Sequence, residues 1–315
     1  SHGGPGTQET HAFALLPSNA TVPRQDTGYL RPVDLYELAL DSLERKKKGQ
    51  LKSPFNSFSL NKMPRLKSER STFRLMTYNV HSCQCMDGKL SPQRIAKVIA
   101  QYQPDIVALQ ELDVGKSRSQ IIDQAHAISQ YLQMEFHFHP SIHLEEECYG
   151  NAILTHLPLR LIKAGNLPLI TNKPSYEPRG AIWVSVAVHG VGVQIINTHL
   201  GFRAIERRVQ VNALLGREWL GSANMQQPFI MCGDFNLFPH SPMYKRIVKH
   251  TADMQLRLAG HRPLNTFSGR FPRARIDHVF ANSMFDVLNV QVPRTHLTLN
   301  ASDHLPLIVD LQIKL

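Results

Sequence analysis

From residue 73 onward, short apolar runs alternate with amphipathic stretches, and the two hydrophobic periods separate strands from helices. Strands are predicted at "FRLMTYNV", "DIVALQEL", "NAILTH", "AIWVSVAV", "VQIINTHL", "FIMCGDF", "RIDHVFA", "FDVLNVQV" and "LPLIVDLQI". Ser91 is placed to cap a helix with Pro92 at its first position and Ile95, Val98, Ile99 and Tyr102 on one face. Further helices are predicted near 119–133, 203–220 and 241–249. Many strands with few helices fit two packed sheets flanked by helices.

Composition changes near residue 70. Residues 1–70 are polar and read as an extension, partly flexible, with one short amphipathic helix over 32–48 that carries Leu35, Ala39 and Leu43 on one stripe and ends in "ERKKK". Docking on the main domain is one use for such a helix, and peripheral contact with a membrane surface is another. Residues 71–315 are expected to form the catalytic domain.

The chain has 315 residues, enough for one large domain, and no apolar run is long enough to span a bilayer. Cys83, Cys85, Cys148 and Cys232 are too few and too irregular for a disulfide framework, which favours a reducing, cytoplasmic setting. "SHGGPGTQET" lacks the charged start and apolar stretch of a secretory signal and begins without Met, as a processed end would. A formal charge of +10 calls for an anionic partner. Nucleic acid, an acidic membrane surface and a phosphorylated small molecule all qualify, and the protein is expected to be a monomer.

The strands end in polar residues. Asn79 closes the first and Glu111 the second; Asn197 and His199 close a central one, and Asp234 and Asn236 the next. Asp277 lies in "RIDHVF", and Asp303 and His304 precede the last strand. A single polar ending is an ordinary strand terminus, but so many carboxylates, amides and imidazoles together point to a site.

The pieces "TYNV", "LQEL", "GNAIL", "NTHL", "GDFN", "RIDHVF" and "SDHLPL" resemble, in order, the endonuclease/exonuclease/phosphatase superfamily, the fold of deoxyribonuclease I, exonuclease III and the neutral sphingomyelinases. The resemblance covers roughly residues 72–315. It implies an α/β (α+β) four-layer sandwich of two mixed β-sheets packed face to face with helices outside. It also implies hydrolysis of a phosphoester with Mg2+ or Mn2+, whose preference for hard oxygen ligands suits Glu111 with Asn79 and Asp303.

By the same resemblance, Asp234 orients or deprotonates the attacking water and Asn236 holds that water or a phosphate oxygen. His304 contacts the phosphate, with Asp277 or Asp303 fixing its tautomer. His199 is a second imidazole near the leaving group, with Asn151 as its orienting partner, and Arg179 in "EPRGAIW" grips phosphate. His81 stands where relatives of exonuclease III carry a carboxylate, so one metal is expected rather than two. His137, His139 and His143 are close enough for a transition metal, although alternation on a strand accounts for the first two.

These readings favour a phosphodiesterase acting on nucleic acid or on a phospholipid. A phosphomonoesterase acting on a soluble phosphate compound and a binding protein that kept the fold without turnover are the alternatives.

Overall fold

The structure, a computed structural model, describes residues 71–144, 147–170 and 176–314; the extension over 1–70 and its helix at 32–48 lie outside the described residues. Two sheets of six strands each make the frame. Along the first sheet the order is β11 (Phe285–Gln291), β12 (Leu307–Ile313), β1 (Thr72–Asn79), β2 (Ile106–Val114), β4 (Glu147–Thr155) and β3 (Glu135–Leu144). The second runs β5 (Leu159–Asn166), β6 (Gly180–Val188), β7 (Val191–His199), β8 (Phe229–Asp234), β10 (Asp277–Ala281) and β9 (Ala252–Asp253). Each mixes parallel and antiparallel neighbours: β1 runs parallel to β2 and antiparallel to β12, while β7 runs parallel to β8 and antiparallel to β6.

Period-two alternation sorts the strand residues between layers. Leu75, Ile106 and Ile153 of the first sheet meet Ile182, Ile195 and Ile230 of the second in one buried core. Met76, Tyr78 and Val107 face outward under α1 (Pro92–Tyr102), α2 (Gln124–Leu132) and α5 (His296–Ala301). Trp183, Ile196 and Met231 do the same under α3 (Ala204–Leu215) and α4 (Pro242–Ile247). The layers are therefore helix, sheet, sheet, helix, the four-layer sandwich expected.

Ser91 caps α1 as expected, its side chain accepting from Arg94 N. The helix expected over 119–133 is shorter, because Asp123 caps it and it begins at Gln124. Strands β5 and β9 and helix α5 are additions to the expected elements, and β3 was expected only through the alternation of His137 and His139. Along β5 no strict in-out alternation exists to read, β9 has two residues, and α5 has six. On the outward face of β1, Arg74 is buried and donates through Nε and Nη2 to both oxygens of Asp310 on β12, at 2.6 and 2.8 Å.

Candidate active site

Alternation also explains why polar side chains collect at one end of the sandwich. Asn79, His199 and Asp234 share the inward faces of their strands with core residues such as Leu75, Ile195 and Ile230, one strand end beyond them. The register pairs Asp234 with His199 on one side and with Asp277 on the other. Three ionisable side chains thus stand in a row across β7, β8 and β10.

Glu111 needs a local exception. Simple alternation would send it outward, because Gln110 already points in and donates to Asn197 at 2.8 Å. A register shift in the β2–β4 pairing between Leu109 and Leu112, with φ of 61° at Glu111, turns its carboxylate toward the site. Asn79 then donates to Glu111 Oε1 and to Asp234 Oδ2, both at 2.9 Å, and ties the two sheets together. Asn197 braces the same junction one layer deeper, donating to the carbonyls of Leu109 and Ala152.

The stretch "GDFN" is shaped by its backbone. Gly233 has φ of 139°, and a Cβ there would lie 1.9 Å from the Thr198 carbonyl oxygen, so only glycine lets β8 approach β7 this closely. Asn236 has φ of 50°; its N–H donates to Asp234 Oδ1 at 3.0 Å and its side chain to the Leu200 carbonyl at 2.9 Å.

Both imidazoles have one nitrogen fixed from behind. His304 Nδ1 faces Asp277 Oδ2 at 2.8 Å, so it carries a proton and leaves Nε2 3.6 Å from Asp234 Oδ2. Arg179 donates to His199 Nδ1 at 2.9 Å. A guanidinium can only donate, and its 2.9 Å contact is shorter than the 3.3 Å approach of Asn236 Nδ2 to Nε2, so His199 holds its proton on Nε2, which lies 3.5 Å from Asp234 Oδ2 and 3.8 Å from Glu111. One oxygen of Asp234 therefore lies between the two imidazoles.

The surroundings set the charges. Burial, then the Asp277 carboxylate, pushes Asp234 up to about 7. Burial works against a charged His304, but Asp277 and Asp234 outweigh it and hold its pKa at about 10. His199 goes the other way, lowered well below the ordinary value by burial, Arg179 and His304. Burial raises Glu111. The site therefore pairs a protonated ring with a neutral one.

Several expected roles move. Arg179, not Asn151, orients His199; Asn151 instead donates to the Gly180 carbonyl at 3.1 Å. Arg179 was expected to grip phosphate, but its place at the start of β6 sets it behind the His199 ring, bonded to His199 and paired with Glu177 at 2.6 Å. Asp277, not Asp303, partners His304. Of the expected metal ligands, Glu111 and Asn79 meet at 2.9 Å, the Asn79 amide donating to the carboxylate while its oxygen accepts from His81 N, and Asp303 stands nearer the surface, 3.9 Å from His81 Nδ1. Among the described residues, two sets of ionisable side chains have ligand atoms within 4.8 Å of one another, Glu111 with His199 and Asp234, and Asp234 with Asp277 and His304. His139 contacts Asn166 at 3.3 Å, and neither set includes His137 or His139; the side chain of His143 lies outside the described residues.

Two contributors had little sequence signal. Thr266 donates to the same Asp277 oxygen that holds His304, and the Phe267 ring packs on His304 with centroids 4.8 Å apart. Both lie in the loop that precedes β10, where no hydrophobic period marks an inward residue. Glu177 could have been found, standing two residues before Arg179 in "EPRG".

The sequence profile of the Endonuclease/Exonuclease/phosphatase family matches residues 76–304, a span that starts in β1 and ends at His304. The chain belongs to this family. It is 22% identical over 258 residues to the uncharacterized protein YbhP of Escherichia coli (strain K12), covering 78% of this chain and 98% of YbhP. An endonuclease/exonuclease/phosphatase from Beutenbergia cavernae DSM 12333 superimposes with a TM-score of 0.63 at 25% identity, over 78% of this chain and 72% of that one. The mannosyl-6-phosphatase Bt3783 of Bacteroides thetaiotaomicron VPI-5482 gives 0.62 at 19% identity, over 76% and 99% of the two chains, which shows the fold alone. Members of the family are generally hydrolases of phosphoesters. Among the described residues, no helix is long and apolar enough to cross a membrane.

Proposed function

We propose that this protein is a Mg2+-dependent phosphoester hydrolase whose first substrate class is a phosphodiester, in nucleic acid or in a phospholipid. The observation that carries the reading is the Asp234 oxygen held between two imidazole Nε2 atoms, at 3.5 and 3.6 Å, beside the Glu111 carboxylate. Buried carboxylates of this kind, bridged by one amide, are costly without a cation. Oxygen donors on Glu111 fit Mg2+ or Mn2+ better than zinc, which favours histidine and cysteine sets.

The side chains divide the work. Asp234, basic enough near neutral pH, takes the proton of the attacking water, and Asn236 holds that water in line. The His304 imidazolium faces the phosphate oxygens and offsets the negative charge that gathers there. His199, kept as a neutral Nε2–H donor by Arg179, supports the leaving oxygen. A divalent cation at Glu111 supplies further charge neutralisation when bound. Glu111 would hold it, with Asn79 beside it at 2.9 Å.

A phosphomonoesterase is the second reading, the class named for the Bacteroides thetaiotaomicron neighbour. A panel of DNA, RNA, sphingomyelin, glycerophospholipids and soluble phosphate esters, each with Mg2+ and with EDTA, tests both. Turnover of diesters supports the first reading; turnover of monoesters alone replaces it by the second, and none with any substrate leaves a binding protein. The peripheral membrane role of residues 32–48 belongs to this proposal too. It requires that deleting 1–70 abolish activity on vesicles and spare activity on soluble short-chain analogues.

A further inference from the structure

The hydrolase reading leaves open what sits next to the phosphate. A cavity of about 280 Å3 opens beside Glu111, with walls that include Tyr149, Glu177, Arg118, His81, Gln84 and Leu90. It is smaller than the roughly 300–1,000 Å3 of sites for drug-sized ligands. One ring fills it.

Its chemistry excludes most occupants. The one guanidinium in its wall is already engaged: Arg118 donates through Nε and Nη2 to both oxygens of the fully buried Asp113, at 2.8 and 2.7 Å, and the carboxylates of Glu111 and Glu177 in the same wall disfavour a further anion. With that guanidinium edge spent on Asp113, a second phosphate finds no matching pair of donors. Leu90 is the single aliphatic residue of the wall, too little to hold an acyl chain. Tyr149 is 6% exposed and has Lys116 and Arg118 over its ring, at 5.1 and 5.4 Å, which leaves little of the ring open for a flat base to stack on.

What the wall does offer is hydrogen bonding. The Ser82 hydroxyl accepts from Arg118 at 3.2 Å and keeps its own proton to give. Gln84 spends its NH2 on the Gly88 carbonyl at 2.8 Å and leaves its amide oxygen to accept. Glu177, 40% exposed, adds carboxylate oxygen. We propose that this cavity receives one uncharged, hydroxyl-rich ring, a sugar or a cyclitol, carried on the phosphate that docks at Glu111. The inference rests on the hydrolase reading for the position of the phosphate.

Calorimetric titration of the Asp234→Asn variant with Mg2+ tests it without requiring turnover. The ligands are glucose 1-phosphate, myo-inositol 1-phosphate and phenyl phosphate. The two polyol phosphates are expected to bind at least about tenfold tighter than phenyl phosphate, because a site built to hydrogen-bond hydroxyls rejects a ring without them. Adding Leu90→Trp, which places an indole in the cavity, should erase that difference; Gln84→Leu should reduce it if the tryptophan variant does not fold. Equal or tighter binding of phenyl phosphate, no binding of the polyol phosphates, or a difference that survives in a folded Leu90→Trp protein overturns the proposal. A short-chain phosphatidylinositol that binds tighter than either free phosphate identifies a lipid headgroup as the source of the ring, and weaker binding identifies a soluble compound. Failure of the hydrolase reading shows separately, as absence of Mg2+-dependent turnover by the unmodified protein.

Discussion

Replacing Asp277 by Asn keeps the shape of the site and removes the charge behind His304. Asp277 is fully buried, and one of its oxygens serves both His304 Nδ1 and the Thr266 hydroxyl. The rise of His304 from 6.5 to about 10 is worth roughly 5 kcal/mol of preference for the charged ring, supplied against burial by Asp277, Asp234 and Asp303. Losing Asp277, which gives both a charge and a hydrogen bond, should remove at least about half of it, which brings the His304 pKa down to roughly 8 or below. The linkage has a definite sign. Because the folded-state pKa lies above the unfolded one, the stabilisation is complete below about pH 6.5 and is lost as pH rises through the folded value. In metal-free protein the unmodified chain should lose it as pH rises through about 10, and Asp277→Asn through roughly 8. At pH 9 the variant would hold about a tenth as much imidazolium, so kcat should fall roughly tenfold there if His304 acts charged. NMR titration of His304, denaturant unfolding against pH and turnover at pH 9 measure the three effects. A His304 pKa still near 10, or an unchanged loss of stability between pH 7 and 10, would refute the argument.

Other substitutions probe separate parts of the account. Glu111→Gln should leave the metal-free melting temperature no lower than that of the unmodified protein, since burial already disfavours the charge, and should abolish the rise that Mg2+ produces in thermal melts. Arg179→Lys should lower kcat about tenfold or more with little change in KM, because the substrate is not what Arg179 touches; a change in KM alone would count against it. Gly233→Ala should cost more than about 4 kcal/mol or prevent folding, as its Cβ would overlap the Thr198 carbonyl; a normal melting temperature would contradict this. Arg74→Met, far from the site, should cost about 3–5 kcal/mol by stranding buried Asp310 and leave the turnover of folded protein intact.

Most of the sandwich is legible in the sequence because its strands are buried on both faces and read as apolar runs that end in polar residues. Asn79, His199, Asp234 and Asp277 follow from such endings, and their convergence follows from the register of neighbouring strands. The partners behind them are not legible. Asn151 was expected behind His199 and Arg179 on phosphate, and only the packing of the two sheets decides which reaches the Nδ1 of His199. Thr266 acts through a loop, where no period marks an inward residue. Glu111 was recognised by its motif, while the bulge that turns it inward leaves no hydrophobic signature. Strand β5, only partly buried, lacks the alternation that marks strands elsewhere.

The most direct test of the central claim is release of p-nitrophenolate from bis(p-nitrophenyl) phosphate by the unmodified protein and by Asp234→Asn, each in Mg2+ and in EDTA. The account predicts steady release in Mg2+ alone, lowered roughly a hundredfold or more by Asp234→Asn, with both proteins melting at similar temperatures. Release that persists in EDTA, or that Asp234→Asn leaves unchanged, would contradict it.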